Sequence, residues 1–219
     1  MLCIYLIYER VIMFKQKYFI DSHKGVTGFF ILFLITHHNQ FNNHNAITYL
    51  IMHGSYGAIW VFKSYMFPDK KWDSECTLLY GGAIWAGLSL YWIAPIIITS
   101  NSVTNNIYTI NAALFIFISG IIIHFLSDMQ KHMHLKLAPE TLITTGMFSM
   151  CRNINYFGEL LIYLSFAILS MHWAPFLALS LFICFIWIPN MLKKDKSLSR
   201  YKDFNSYKKT TYLFIPYIF

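Results

Sequence analysis

The sequence predicts an all-α, polytopic transmembrane helical bundle of about six spans with both termini cytosolic, and three observations predict it. Only 12% of the 219 residues are charged, against 57% hydrophobic. Soluble domains carry about 25% charged residues, so the chain lacks the polar surface that a water-soluble fold of its size needs. The apolar residues are also gathered into long runs, which suits a bilayer better than a soluble core. The charges, finally, fall in alternate connections between those runs.

In chain order, the opening MLCIYLIYERVIMFKQKY is apolar but broken by Glu9 and Arg10. It has neither the basic start nor the small-residue cleavage site of a signal peptide, and it reads as an interfacial helix or the remnant of a further span. Six segments then qualify as spans: Val26–Thr36, Ala46–Phe67, Thr77–Thr99, Tyr108–Ser127, Tyr156–Met171 and Ala174–Met191. A crossing helix needs about 20 residues, so the first and fifth must recruit flanking residues. The aromatic content of 19% suits interfacial belts of Trp and Tyr.

The connections check this count. The N-terminal arm holds Arg10, Lys15, Lys17 and Lys24; the second connection holds Lys70 and Lys71; the fourth holds Lys131, Lys136 and Arg152; the tail holds a Lys/Arg cluster. The odd connections, THHNQFNNHN, TSNSVTNN and HWAP, carry no Lys, Arg, Asp or Glu. Six spans therefore place all 27 charged residues (17 basic plus 10 acidic) at or near one face, with Lys63 and Glu159 near span ends. The positive-inside rule makes that face cytosolic.

The net charge of +7 does not point to nucleic acid. Seven of the seventeen basic residues lie between Lys193 and Lys209, directly after a span, where they read as an orientation signal and a contact for anionic membrane lipid. The four cysteines, Cys3, Cys76, Cys151 and Cys184, show no CxxC and no metal-ligand spacing, so free thiols and no metal are expected. Histidines His37, His38 and His44 fall on the opposite face from His132 and His134, which separates them too far for a di-iron site.

The long connection Asp128–Asn155 is the natural place for function, because it shares a face with the basic tail. Within LITTGMFSMCRNINYFGELLIY, Gly146 permits a tight turn, and Arg152 offers a fork of donors for phosphate or carboxylate. Asn155 and Tyr156 add neutral hydrogen bonds at a helix start. Glu159 lies one turn into a span, where an unpaired carboxylate is costly; the plainer reading pairs it with Arg152 or a lysine. Asp128 and Lys131, three apart in SDMQKHMHLK, form either a helix-end ion pair or part of a site. The tail alternates charges with Tyr201, Phe204, Tyr207 and Tyr212 and ends in YLFIPYIF, an apolar end that must dock on protein or lipid.

Arg152-Asn-Ile-Asn155-Tyr156-Phe-Gly158-Glu159 resembles the R-N-P-N-Y-x-G-E signature of the steroid 5-alpha-reductase C-terminal family and its DUF1295 relatives, with Ile154 at the proline position. Asp128-x-x-Lys131 and the Tyr207-Lys-Lys…Phe214-Ile-Pro216 ending are similar too, so the resemblance covers roughly Gly120 to Phe219 of a single membrane domain. It implies an oxidoreductase that takes NADPH from the cytosolic side and reduces a carbon–carbon double bond in a lipophilic enone, steroid-like or isoprenoid substrate. Carried over, Asp128, Arg152, Asn155, Tyr156 and Glu159 would hold the cofactor, with Lys131 and Tyr207 assisting.

The segment HGSYGAIWVFKSYMFPDKKW, His53–Trp72, resembles DUF1295 proteins in its H-G-S-Y-G and F-P-D pieces. It supplies Tyr56 as a candidate general acid; the alternative is a Tyr and His hydrogen-bonded across helices. The paired acidic motif of true steroid 5-alpha-reductases is missing from the N-terminal half, which argues against a steroid. The alternative function is an S-adenosylmethionine-dependent methyltransferase of the isoprenylcysteine or phospholipid type. Those enzymes share an R-H-P-x-Y-x-G signature, but Asn153 stands where they need histidine, and Lys193-Lys194-Asp195 replaces their acidic pair. A bacterial inner membrane or the endoplasmic reticulum would house either enzyme.

Overall fold

A computed structural model describes residues 13–219, which form seven helices and one short two-stranded ribbon. The opening segment's residues 1–12, with Cys3, Glu9 and Arg10, lie outside the described residues. Its last part supplies β1 (Met13–Lys15) and the first turn of α1 (Gln16–His37). Then follow α2 (His44–Met66), β2 (Glu75–Thr77), α3 (Leu78–Ser100), α4 (Ile107–Leu137), α5 (Ile154–Ser170), α6 (Trp173–Leu198) and α7 (Phe204–Thr210). β1 pairs antiparallel with β2 in the register Met13↔Thr77; three-residue strands give no readable alternation, and the ribbon was not expected.

Each expected span lies on a helix. Four helices, α1, α3, α4 and α6, are long and apolar enough to cross a membrane, and on length and composition they mark an integral membrane protein. α2 is also long, but His44, Asn45, His53 and Lys63 dilute its apolarity, and α5 has only 17 residues. The outward faces support the assignment, since Leu79 (86% exposed), Tyr108 (82%) and Phe115 (74%) would be unfavourable against water.

The main departure is in α1. It begins at Gln16, not Val26, and so absorbs Asp21, His23 and Lys24. Its buried face runs Ile20, His23, Lys24, Thr27, Ile31 and Leu34 at helical spacing. Polar residues are accepted there because they meet other helices and not lipid. α4 similarly continues past Ser127 to Leu137, so SDMQKHMHLK is helical.

Capping fixes where the helices start. Asn43 accepts from the Asn45 and Ala46 amides, Thr77 from Tyr80, and Asn106 from Thr109, each satisfying first-turn donors. Prolines fix where they deform. A proline lacks an amide hydrogen and crowds the carbonyl four residues earlier. Pro95 follows a 3₁₀ turn at Ser89–Trp92 in α3, and Pro189 follows a π-helical stretch at Ile183–Trp187 in α6.

The six long helices alternate in direction. At one end the three uncharged connections meet through asparagines. Asn45 Nδ2 donates to the Leu169 and Val103 carbonyls at 3.0 and 3.1 Å, and Asn105 Nδ2 to Leu169 at 2.9 Å. At the other end lie the ribbon, the 67–77 connection, the 138–153 connection and the tail. Lys15 and Lys17 reach Asp73 there at 3.2 and 3.1 Å, and Lys131 reaches Asp69 at 2.8 Å. Between the two ends, α4 and α5 pack backbone to backbone: a Cβ on Gly158 would sit 2.5 Å from the His124 amide nitrogen. Small residues commonly permit such contact between membrane helices.

Candidate functional site

That close approach of α4 and α5 brings α2 and α1 over the signature's C-terminal half. Tyr56, Trp60 and Lys63 recur at i, i+4 and i+7 on α2 and so share its inward face. Glu159 and Tyr163 do the same on α5. α1 adds Lys24, which is 3% exposed.

Lys24 is the centre of the arrangement. Its ammonium donates to the Tyr56 hydroxyl at 3.3 Å and to the Tyr163 hydroxyl, and it lies 4.4–4.9 Å from the ring centroids of Tyr56, Trp60 and Tyr163. The Tyr56 hydroxyl in turn donates to the Glu159 carboxylate at 3.5 Å. A cation, two phenols and a carboxylate thus share one site among the helices. A buried charge is tolerable only with partners, and here each has one.

A second cluster continues toward the charged end. Lys63 pairs with Asp128, whose carboxylate lies 3.8 Å from His124 Nε2. The other ring nitrogen of His124 meets the Asn155 carbonyl at 2.9 Å. Trp60 joins the two clusters, with the Lys24 and Lys63 ammoniums 4.8 and 4.6 Å from its ring. Its indole N–H donates to Asp21 at 3.1 Å, and Asp21 also accepts from Ser64 at 2.7 Å. A cleft of at most about 330 Å³ opens beside this seam, between Lys17 and Asp21 of α1, Trp60 and Lys63 of α2, and Asp69 and Trp72. Asp69 is partly buried, which opposes ionisation, but Lys131 beside it prevails and holds the carboxyl below its ordinary range.

Arg152 is part of a different assembly. Its Nε reaches both Asp195 oxygens at 3.1 Å, Nη2 reaches Asp195 at 3.0 Å, and Nη1 donates to the Thr211 carbonyl. Lys194 caps the Arg152 carbonyl at 2.8 Å and Asn153 Oδ1 at 3.1 Å, while Asn153 Nδ2 donates to Leu213 at 2.9 Å. The Tyr207 hydroxyl donates to the Phe148 carbonyl at 2.6 Å. Cys151 is fully buried in the same clamp, and burial pushes its thiol up to about 11. The signature's first half therefore docks the C-terminal tail, including Phe214, onto the 138–153 connection.

The sequence-predicted residues thus divide. Tyr56 and Glu159 are in contact, and His124 links Asp128 to Asn155, whose Oδ1 is buried without a partner. Tyr156 is half-buried with its ring 5.6 Å from that of Trp187. Asp128 and Lys131 are not paired with each other; each bonds across helices, to Lys63 and Asp69. Arg152 does not pair with Glu159. Tyr56 is hydrogen-bonded across helices, to Lys24 of α1 and Glu159 of α5, whereas His53 bonds Tyr49 of its own helix at 3.0 Å. Lys24, Lys63, Trp60, His124 and Tyr163 were missed. Their signal was helix phase: Lys63 is on the Tyr56 face, and Lys24 follows Ile20 by one turn.

Among the described residues, no group of three or more His, Cys, Asp or Glu side chains is placed to hold a metal ion, and Cys76, Cys151 and Cys184 are free. No curated protein matches the chain. The family model described as "Protein of unknown function (DUF1295)" matches residues 69–211, from the start of the second charged connection into the tail clamp. That is more than half of the sequence, and the chain belongs to the DUF1295 family.

Proposed function

We propose that the protein is a membrane-embedded, NADPH-dependent reductase of a carbon–carbon double bond in a lipophilic conjugated substrate. In this reading all six long helices cross the bilayer and the charged end faces the cytosol. The observation that carries the proposal is the Tyr56 hydroxyl held between the Lys24 ammonium and the Glu159 carboxylate. A phenol beside a cation is a competent proton donor to a carbonyl oxygen. A desolvated setting strengthens that interaction, because low dielectric magnifies a fixed charge.

The polar seam offers groups that a dinucleotide would use. The partnerless Asn155 Oδ1 and the Glu159 carboxylate are acceptors suited to a carboxamide. Lys131 supplies positive charge toward the cytosolic mouth, with Asp128 and Tyr156 along the same seam. Arg152 has its donors committed to Asp195 and Thr211, and Tyr207 commits its hydroxyl to Phe148 of the 138–153 connection, so they would serve the cofactor by fixing the wall that Asn155 stands on. Bound NADPH would supply the hydride to the β carbon. Tyr56 would donate its proton to the carbonyl oxygen as enolate charge develops, and Lys24 would stabilise the phenolate left behind. Burial among α1, α2 and α5 would keep water from that proton.

Thermal unfolding of the detergent-purified protein with NADPH, NADH or S-adenosylmethionine tests the reading. A ligand at a hundredfold excess over its Kd stabilises the native state by roughly 2.7 kcal/mol. Stabilisation by NADPH that is weakened in Glu159→Gln is expected. Stabilisation by S-adenosylmethionine alone would overturn the reductase in favour of a methyltransferase.

A further inference from the structure

The outward side of the basic tail and its apolar ending take no part in the reductase reading. Segment 190–219 holds seven basic and two acidic residues. Lys194 and Asp195 are engaged inside the clamp, on the Arg152 carbonyl and guanidinium. Lys193, Lys196, Arg200, Lys202, Lys208 and Lys209 are all exposed, against one exposed acid, Asp203. Among the described residues none of these six pairs with a carboxylate. The apolar ending is divided too. Phe214 is buried, with its ring 6.3 Å from that of Trp187. The Phe214 and Ile215 amides donate to the main-chain oxygen of Phe219 at 2.6 Å, and the Ile218 and Phe219 amides to the Ile215 carbonyl at 3.1 and 3.0 Å. The turn so closed presents Tyr217, Ile218 and Phe219 outward, 70, 76 and 52% exposed. Trp187 precedes Lys193 by six residues on α6, which places Phe214 about 9 Å deeper along that helix than the start of the basic cluster.

We propose that this face is an anionic-lipid site. Tyr217, Ile218 and Phe219 enter the headgroup boundary of the leaflet at the charged end, and the exposed cations hold acidic phospholipid headgroups. Depth and charge select the partner together. Interfacial segments bury their apolar face about 5–10 Å into that boundary, which matches the depth of the turn below Lys193. An acidic soluble protein would answer the cations but not the three apolar side chains at bilayer depth. Each Lys or Arg near an anionic leaflet favours the contact about fivefold. The same lipid tightens the clamp on the signature. The Arg152 amide donates to the Tyr212 carbonyl at 2.9 Å, and the Cys151 thiol to the Phe214 carbonyl at 3.2 Å. Whatever holds the tail to the membrane therefore also holds the start of α5. This needs only that α6 cross the bilayer, and it is independent of the reductase.

The test is hydrogen–deuterium exchange, read by mass spectrometry without cofactor, on the full-length protein in nanodiscs of phosphatidylcholine alone or mixed with phosphatidylglycerol. The Arg152, Tyr207 and Phe214 amides, all hydrogen-bonded in the clamp or the tail, are expected to exchange about tenfold more slowly in the acidic discs. Lys208→Gln with Lys209→Gln, both exposed and so tolerated by the fold, should remove most of that difference and leave exchange in phosphatidylcholine unchanged. Ile218→Ser should speed exchange in both discs. Salt at about 1 M, where charges are screened beyond about 3 Å, should erase the difference, and inorganic phosphate added to neutral discs should not reproduce it. Equal exchange in the two discs, a difference that survives the lysine substitutions, protection by free phosphate, or an Ile218→Ser variant without effect would overturn the proposal. A lipid effect in a protein that NADPH does not stabilise would uphold the site and count against the reductase alone.

Discussion

Replacing Lys63 with methionine keeps most of the side chain's volume but strips Asp128 of its ammonium partner inside the bundle. The two side chains are only 9% and 10% exposed, so water cannot replace what is lost. Breaking a buried pair from one side costs about 3–5 kcal/mol. The same change at Lys131 is the control, because the Lys131–Asp69 pair is about one-third exposed on both sides (32% and 31%). Pairs of that exposure contribute about 0–1 kcal/mol. The ratio between the variants is therefore the diagnostic, and it follows from burial alone, since both pairs join a lysine to an aspartate across the charged end. Adding Asp128→Leu to Lys63→Met should recover most of the loss, because removing both charges removes the desolvation cost as well. Reversible unfolding by SDS titration in mixed micelles reads all three variants. Equal losses for Lys63→Met and Lys131→Met, or a double variant no better than the single, would refute the reasoning.

Three further outcomes are expected. Gly158→Ala should lower stability well beyond the roughly 1 kcal/mol of an average substitution, because its Cβ would meet main chain at 2.5 Å and a helix must shift; retained melting temperature and expression would contradict the packing. Cys151 should resist thiol reagents at pH 8 until the protein is denatured. Its folded thiol titrates at about 11, above the ordinary 9.0, so its contribution to stability is full below that ordinary value and is lost as pH climbs toward 11. Cys151→Ala should flatten that slope in a pH series of melting curves. Asp195→Asn should release the tail, since it weakens the acceptor of the Arg152 fork, and limited proteolysis near Tyr207 should report the release.

Much of this architecture was legible in the sequence. The alternation of charged and uncharged connections predicted that THHNQFNNHN, TSNSVTNN and HWAP would gather at one end, and the Asn45–Leu169 and Asn105–Leu169 bonds join them there. The extent of α1 was not legible. Apolarity over a window locates lipid-facing helix, whereas Asp21, His23 and Lys24 face other helices, where hydrogen bonds answer for their polarity. Pairing also misled. Local helix spacing links Asp128 to Lys131, but the partners Lys63 and Asp69 come from the connection-proximal end of α2 and beyond it, which no spacing rule along one helix can find. The signature was recognisable as a unit, yet its two halves serve two ends. Arg152 and Asn153 fasten the tail, while Asn155 and Glu159 face the seam, and a linear motif does not separate those duties.

The central claim is that hydride is transferred onto a lipophilic double bond with Tyr56 as proton donor. The most direct measurement incubates the purified protein with a linear enone and NADPH carrying deuterium at the transferred position, then locates deuterium in the product by mass spectrometry. The account predicts one deuterium at the β carbon, a solvent-derived proton at the α carbon, and at least a hundredfold slower turnover in Tyr56→Phe, in line with the ~10²–10⁴ that a positioned acid contributes. An unlabelled substrate recovered intact beside a protein that NADPH does stabilise, or turnover indifferent to Tyr56, would contradict it.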